Sequence, residues 1–170
     1  MDNKEMLLNR YSCRKFTEEK VKEEDLNLII KAGLNAPCGK NRQDSKLVVV
    51  EDESLVKKLS DLNATVLNSN TDPFYGAKTI VCVFVKSDSP TLVQDGSAIL
   101  TMMQSQAFML NIGSCWINRL KEMMVSQEGL ALMEQWGIQD YTGVGICILG
   151  IPYGQGKAKE IKANRVINIR

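Results

Sequence analysis

The run from Gly96 to Asn118 carries no charged residue, and no other feature limits the fold of this chain as strongly. An uncharged stretch of this length can span a bilayer, but Gln104, Ser105, Gln106, Asn111 and Asn118 interrupt it. A buried helix with an exit loop satisfies those polar groups better than lipid does. The pattern predicts a helix "GSAILTMMQSQAFMLNI", begun by Asp95 and stopped by Gly113, apolar nearly all round and central to the core. Met102, Met103 and Met109 on it read as core filling.

The rest of the chain supplies elements to surround such a helix. Residues 3–9 read as a short helix. "VKEEDLNLIIKAGLNAP" reads as a second, with Leu26, Ile29, Ile30 and Gly33 on one face and Pro37 ending it. "KLVVVED" is a predicted strand, and "SLVKKLSDLNATVL" a helix begun by Ser54. "TIVCVFVK" is the continuous apolar run of a buried central strand. A helix over about 121–136, the strand "TGVGICILG" and an alternating tail over 163–170, read as an edge strand, complete the set. With no repeat or linker, the 170 residues, 44% hydrophobic and 24% charged, make one α+β domain over 1–170.

Composition then narrows the function. The chain has 21 basic and 20 acidic residues, so no global field points to nucleic acid. "MDNKEMLLNR" lacks an apolar leader core and reads as a cytoplasmic start. Five cysteines (13, 38, 82, 115 and 147) form no CxxC pair, which favours free thiols over disulfides or a zinc site. The chain has no histidine, which excludes Ser-His and Cys-His nucleophile pairs and His-ligated metals. Carboxylates, thiols, Lys, Tyr or a cofactor must carry any chemistry, and no metal is expected.

"GIPYGQGK" resembles a phosphate loop only superficially. Ile151 and Ala158 stand where the motif needs Gly and Ser or Thr, so the segment reads as a turn. Cys38, beside Lys40 in "APCGKN", reads either as a reactive thiol or, more commonly for free cysteine, as a small buried hydrophobe. In "NRYSCRKF", an extended backbone puts Arg10, Ser12 and Arg14 on one side. Alone, it reads as an anion site or, more commonly for exposed Arg and Lys, as a solvated charged loop. "APCGKNRQ" adds the amides of Asn41 and Gln43, and "GSCWINR" places Trp116 in a turn after the buried helix, where backbone N–H groups lack helical partners. Cations, amides and an aromatic turn together suit a phosphorylated aromatic ligand.

In this order, "RYSCRKF", "LIIKAGLNAPCGKNRQ", "FYGAKTIVCVFV", "QDGSAILTMM", "LNIGSCWINR" and "ILGIPYG" resemble the nitroreductase family of FMN oxidoreductases, over essentially the whole chain. The resemblance implies a mainly antiparallel central sheet flanked by helices. It also implies an intertwined cytoplasmic homodimer with two flavin sites in its interface. Arg10 would hold the phosphate, Ser12 the phosphate or ribityl chain, and Arg14 the pyrimidine edge near N1 and O2, with Tyr11 in the same segment. Pro37, Cys38, Gly39, Asn41 and Gln43 match the loop that reaches the flavin from the partner subunit. Trp116, Ile117, Asn118 and Arg119 match the loop that approaches N5. Lys159 and Lys162 are the nearest matches to a basic pair at the phosphate. The chain departs from the family in Asp44-Ser45 where Pro-Trp is usual, in Cys38 for a serine, and in Ile161 where the basic pair usually has Arg.

Tightly bound, non-covalent FMN would carry the chemistry at N5, with no catalytic side chain beyond electrostatic support from Arg14. NAD(P)H would give hydride, and a nitroaromatic, quinone or similar acceptor would take it in a ping-pong cycle. The alternative on the same fold is a non-catalytic flavin-binding, sensor or storage protein. The loop at 63–75 would lie near the substrate, with Asn68, Asn70 and Phe74 as contacts, and the tail "RVINIR" would be exchanged with the partner.

Overall fold

The computed structural model describes residues 6–169. Strands β1 (Ser45–Val50), β2 (Thr79–Lys86), β3 (Gly113–Ile117) and β4 (Tyr141–Gly150) form one sheet in the order β1-β2-β4-β3, antiparallel throughout. Helices α1 (Glu23–Leu34) and α3 (Leu92–Met109) cover one face, and α2 (Glu53–Leu67), α4 (Leu120–Met124) and α5 (Gln127–Gln135) the other.

Both faces of the two central strands are buried, so their side chains feed two cores by simple alternation. Ile80, Cys82 and Phe84 of β2, with Ile146 and Ile148 of β4, join the core under α2, α4 and α5. Val81 and Val83, with Cys147 and Leu149, join the core under α1 and α3. This is why β2 and β4 read as continuous rather than alternating apolar runs.

A bulge breaks the register: Val83 pairs with Gly145 but Phe84 with Gly143, leaving Val144 as the extra residue. Val144 therefore packs in the α3-side core, where it touches the helix at Gly96; a Cβ on Gly96 would lie 2.5 Å from Val144 Cγ2. A Cβ on Gly145 would overlap Trp116 Nε1 and approach Leu100 Cδ1 to 3.0 Å. Two glycines thus let α3 and Trp116 lie directly on the sheet.

The structure corrects several boundaries. The central helix begins at Leu92; Asp95 lies in its first turn, because the Asp95 amide already donates to the Thr91 carbonyl (2.8 Å). The helix stops at Met109, and Gly113 opens β3. Consequently Trp116 is in a strand, paired with Cys147, and not in a turn. Of the three methionines only Met103 is buried; Met109 is 44% exposed. Helix α2 is capped by Asp52, whose carboxylate accepts from the Leu55 amide (2.8 Å), and not by Ser54, whose hydroxyl donates to that carboxylate.

The helix expected over 121–136 is two, divided where Ser126 caps α5 by accepting from the Gly129 amide. Helix α1 ends at Leu34, before Pro37. At the N-terminus Met6–Asn9 is a 3-10 turn, and the start of the helix expected over 3–9 lies outside the described residues. The tail forms no strand through residue 169, and Arg170 lies outside the described residues.

Filling the space over β4 is expected to be costly. Gly145→Val should lower stability by about 1–3 kcal/mol, as overpacked cores do, read as a lower denaturant midpoint with an unchanged slope and altered Trp fluorescence.

Candidate functional site

The segment after Asn9 runs along the outer edge of β3. The Cys13 amide donates to the Ser114 carbonyl (2.9 Å), and Cys13 is buried so tightly against Gly113 that a Cβ there would lie 2.7 Å from its sulfur. Further on, Phe16 bridges Pro152 and the Thr17 amide donates to the Ile151 carbonyl. Alternation then sorts the side chains. Tyr11 stacks edge-on with Phe108 at 6.1 Å, and Lys15 sits 4.0 Å over the Tyr153 ring.

Arg14, Ser12, Cys13 and Arg10 all act on the Cys115 thiol of β3. Burial pushes the Cys115 thiol up, while the Arg14 guanidinium, a hydrogen bond from Ser12 and, more weakly, Arg10 pull it down.

Within this group one atom stands out. Arg10 Nη1 is buried without a hydrogen-bond partner. None of the ion pairs among the described residues involves Arg10 or Arg14. A buried guanidinium nitrogen lacking an acceptor is unfavourable, and a phosphate oxygen is the acceptor whose charge and geometry match it. The donor set thus fits the phosphate of FMN. Beside it, the segments Tyr11–Lys15 and Tyr153–Lys157 enclose a hollow of about 250 Å³, where "GIPYGQGK" forms the expected turn, with Gly154 at φ +81°.

β3 leads directly from this triplet to the second expected segment. Ile117 is buried, and Arg119 begins α4 with a left-handed φ of +75°. The turn is pinned from α2: fully buried Asn63 donates from Nδ2 to the Asn118 carbonyl (2.9 Å), while its Oδ1 has no partner. Asn63 had no sequence signal beyond its type, since the contact joins residues remote along the chain.

The third segment lies elsewhere. The Cys38–Gln43 loop packs beside Ser45 and Val85, at the β1 edge of the sheet. Three inter-strand spacings separate β1 from β3, roughly 14 Å at ordinary strand spacing. One chain therefore does not bring Asn41 and Gln43 to the Arg10 triplet. Both amides are exposed and bonded to each other, Gln43 Nε2 donating to Asn41 Oδ1 (3.1 Å). Cys38 is half-buried, and its sulfur accepts from the Gln43 amide at 3.4 Å. Pro37 is exposed at the start of this loop, and Lys159 and Lys162 lie exposed in the tail.

Two expectations about the remaining residues change. Phe74 is 1% exposed and belongs to the core, so it is not a substrate contact. The expected loop at 63–75 begins as helix: α2 runs to Leu67, and Asn68 is its left-handed C-cap. Asn70 is exposed in the bend that follows. Of the buried thiols, Cys82 is pushed up to about 12 and Cys147 further still by burial. Neither is a nucleophile. No cluster of His, Cys, Asp or Glu among the described residues could hold a metal ion, and no helix among them is long and apolar enough to cross a membrane.

Comparison with known proteins gives the family and the fold. A protein of Archaeoglobus fulgidus, bearing the name of an NADH dehydrogenase/NAD(P)H nitroreductase, is 31% identical over 146 residues, 82% of each chain. Among solved structures, a nitroreductase with bound FMN from Bacteroides fragilis superposes with a TM-score of 0.90 at 22% identity, covering 100% of both chains. A second, from Desulfitobacterium hafniense, also with bound FMN, gives 0.89 at 19%, again over 100% of both. The model of the nitroreductase family matches residues 7–151, and the chain belongs to that family.

Proposed function

We propose that the protein is an FMN-dependent oxidoreductase that takes hydride from NAD(P)H and delivers it to a nitroaromatic, a quinone or a related small acceptor, the two substrates occupying one place in turn. The observation that carries this reading is the buried, unpartnered guanidinium nitrogen of Arg10 beside Ser12 and Arg14. It sits in a chain whose relatives include nitroreductases crystallised with FMN. FMN, when bound, would supply the hydride chemistry, which no amino-acid side chain carries.

The chain's own groups bind, orient and stabilise. Arg10 gives the phosphate a charged fork and Ser12 a short hydrogen bond. Arg14, exposed at the outer end of the triplet, favours negative charge on the pyrimidine edge of the ring. Backbone N–H groups of Ile117–Arg119 would lie toward the ring, and Lys159 and Lys162 would add positive charge at the phosphate.

The same reading requires two copies of the chain. Because the Cys38–Gln43 loop stands at the sheet edge away from the triplet, a second copy is the natural source of Cys38, Gly39, Asn41 and Gln43 for each site. Exposed apolar side chains support an extensive contact: Val93 (62%), Ile167 (89%) and Ile169 (93%) are open in a single chain. The tail is the segment available for exchange.

The purified protein is expected to show flavin absorption that bleaches in stopped flow with NADH or NADPH. Absence of bleaching with either overturns the hydride half of the proposal. Steady NAD(P)H oxidation with menadione or a nitroarene separates an enzyme from a flavin-storing scaffold. Arg10→Ala should weaken FMN retention about ten- to a hundredfold, whereas Arg14→Ala should chiefly slow flavin reduction. Equal loosening of FMN by both would refute that division of labour. Cys38→Ser should leave flavin reduction nearly unchanged; loss of activity would point instead to thiol chemistry.

A further inference from the structure

Asp95 is 7% exposed, unusual for a carboxylate, and each of its oxygens has a partner on a different segment. Oδ1 accepts from the Gly39 amide at 3.0 Å, and Oδ2 accepts from the Thr91 hydroxyl at 2.8 Å. Its place in the first turn of α3 sets its charge against the positive end of that helix, which offsets the cost of burial. Gly39 approaches so closely that a Cβ there would overlap Thr91 Oγ1. A loop far upstream in the chain is thus tied to the start of the central helix by one buried charged group.

That loop needs a tie. Lys40, Asn41 and Gln43 all have φ near +53° to +54°, a conformation disfavoured for side-chain-bearing residues and kept only where surroundings impose it. The loop's other ties are local or exposed: Arg42 pairs with Asp44 and reaches Asp88 at 3.9 Å, Gln43 bonds Asn41, and the Asn41 and Arg42 amides donate to the Cys38 and Gly39 carbonyls. Lys40, Asn41, Arg42 and Gln43 are exposed, and a hollow of about 170 Å³, lined in part by Cys38, Gln43, Asp95 and Ile99, lies beneath them. The sulfur of Cys38 is a weak acceptor for the Gln43 amide.

We propose that Asp95 is a positioning residue. Through the Gly39 amide and the Thr91 hydroxyl, its carboxylate holds the Cys38–Gln43 loop in the shape that presents Asn41 and Gln43 to the flavin of the second copy. The flavin part of this statement rests on the proposed function; the tie itself does not.

Asp95→Ala removes both acceptors. Asp95→Asn keeps one: its amide oxygen accepts from Gly39 N–H while its NH₂ donates to the Thr91 hydroxyl. Gly39→Ala strikes the same link from the loop side with the carboxylate intact. Hydrogen exchange of residues 39–43 is measured on the full chain, holo and FMN-stripped, alongside the FMN dissociation constant.

In Asp95→Ala and Gly39→Ala, loop exchange should accelerate and FMN affinity fall, each by about tenfold or more, while exchange in β2 and β4 stays protected. Asp95→Asn should remain close to wild type. Wild-type loop exchange in Asp95→Ala overturns the proposal, and so does an Asp95→Asn variant as impaired as Asp95→Ala. If Asp95→Ala fails to fold, the contrast between Gly39→Ala and Asp95→Asn decides by the same two readouts. A wild-type chain that takes up no FMN refutes the proposed function, and loop exchange then decides the tie alone.

Discussion

Burial of both faces of β2 and β4 is the constraint from which the rest follows. Every residue from Thr79 to Val85 is buried, as is every residue from Gly145 to Gly150, so the sheet interior has no room for a charged or solvated group. Polar chemistry is displaced to the sheet margins: to the β3 edge, where Cys13 docks on Ser114, and to the β1 edge, where the Cys38–Gln43 loop sits. The cysteines obey the same rule. Cys82 and Cys147 lie inside the sheet with thiols held protonated by desolvation, so they act as small apolar side chains. Only Cys38 escapes the interior.

Local patterns were legible where the physical cause was local. The bounds of β2 match the apolar run, because a strand with two buried faces has no other way to read. The segment that carries Arg10, Ser12 and Arg14 docks beside β3 through the Cys13 amide, and Cys13 between them is buried. Where the cause was distant, the reading failed. "GSCWI" is a strand only because β4 pairs with it, and nothing within those residues distinguishes that from a helix exit. Asp95 looks like a helix starter in sequence; its contact with Gly39 joins two segments that the sequence alone does not bring together. The break at Ser126 was local but weak, one capping hydroxyl inside a helical pattern.

The placement of the segments expected to meet the cofactor shows a shared design. Both the Cys38–Gln43 loop and the Asn118–Arg119 turn use left-handed backbone at residues other than glycine, each such residue costing on the order of 1 kcal/mol. Neither segment has a core of its own to offset that cost. Each instead bonds a buried polar side chain projecting from a helix: Asp95 of α3 for one, and Asn63 of α2 for the other. The two helices lie on opposite faces of the sheet, so the two ties are independent. A helix packed on a two-sided sheet is the least mobile element in such a domain, and a hydrogen bond from it transmits that rigidity to a loop at the sheet margin. The unpartnered Oδ1 of Asn63 fits the same logic. Leaving one buried acceptor unsatisfied is a cost of roughly 1–3 kcal/mol, and a fold tolerates it where the other end of the side chain fixes a turn that packing alone cannot.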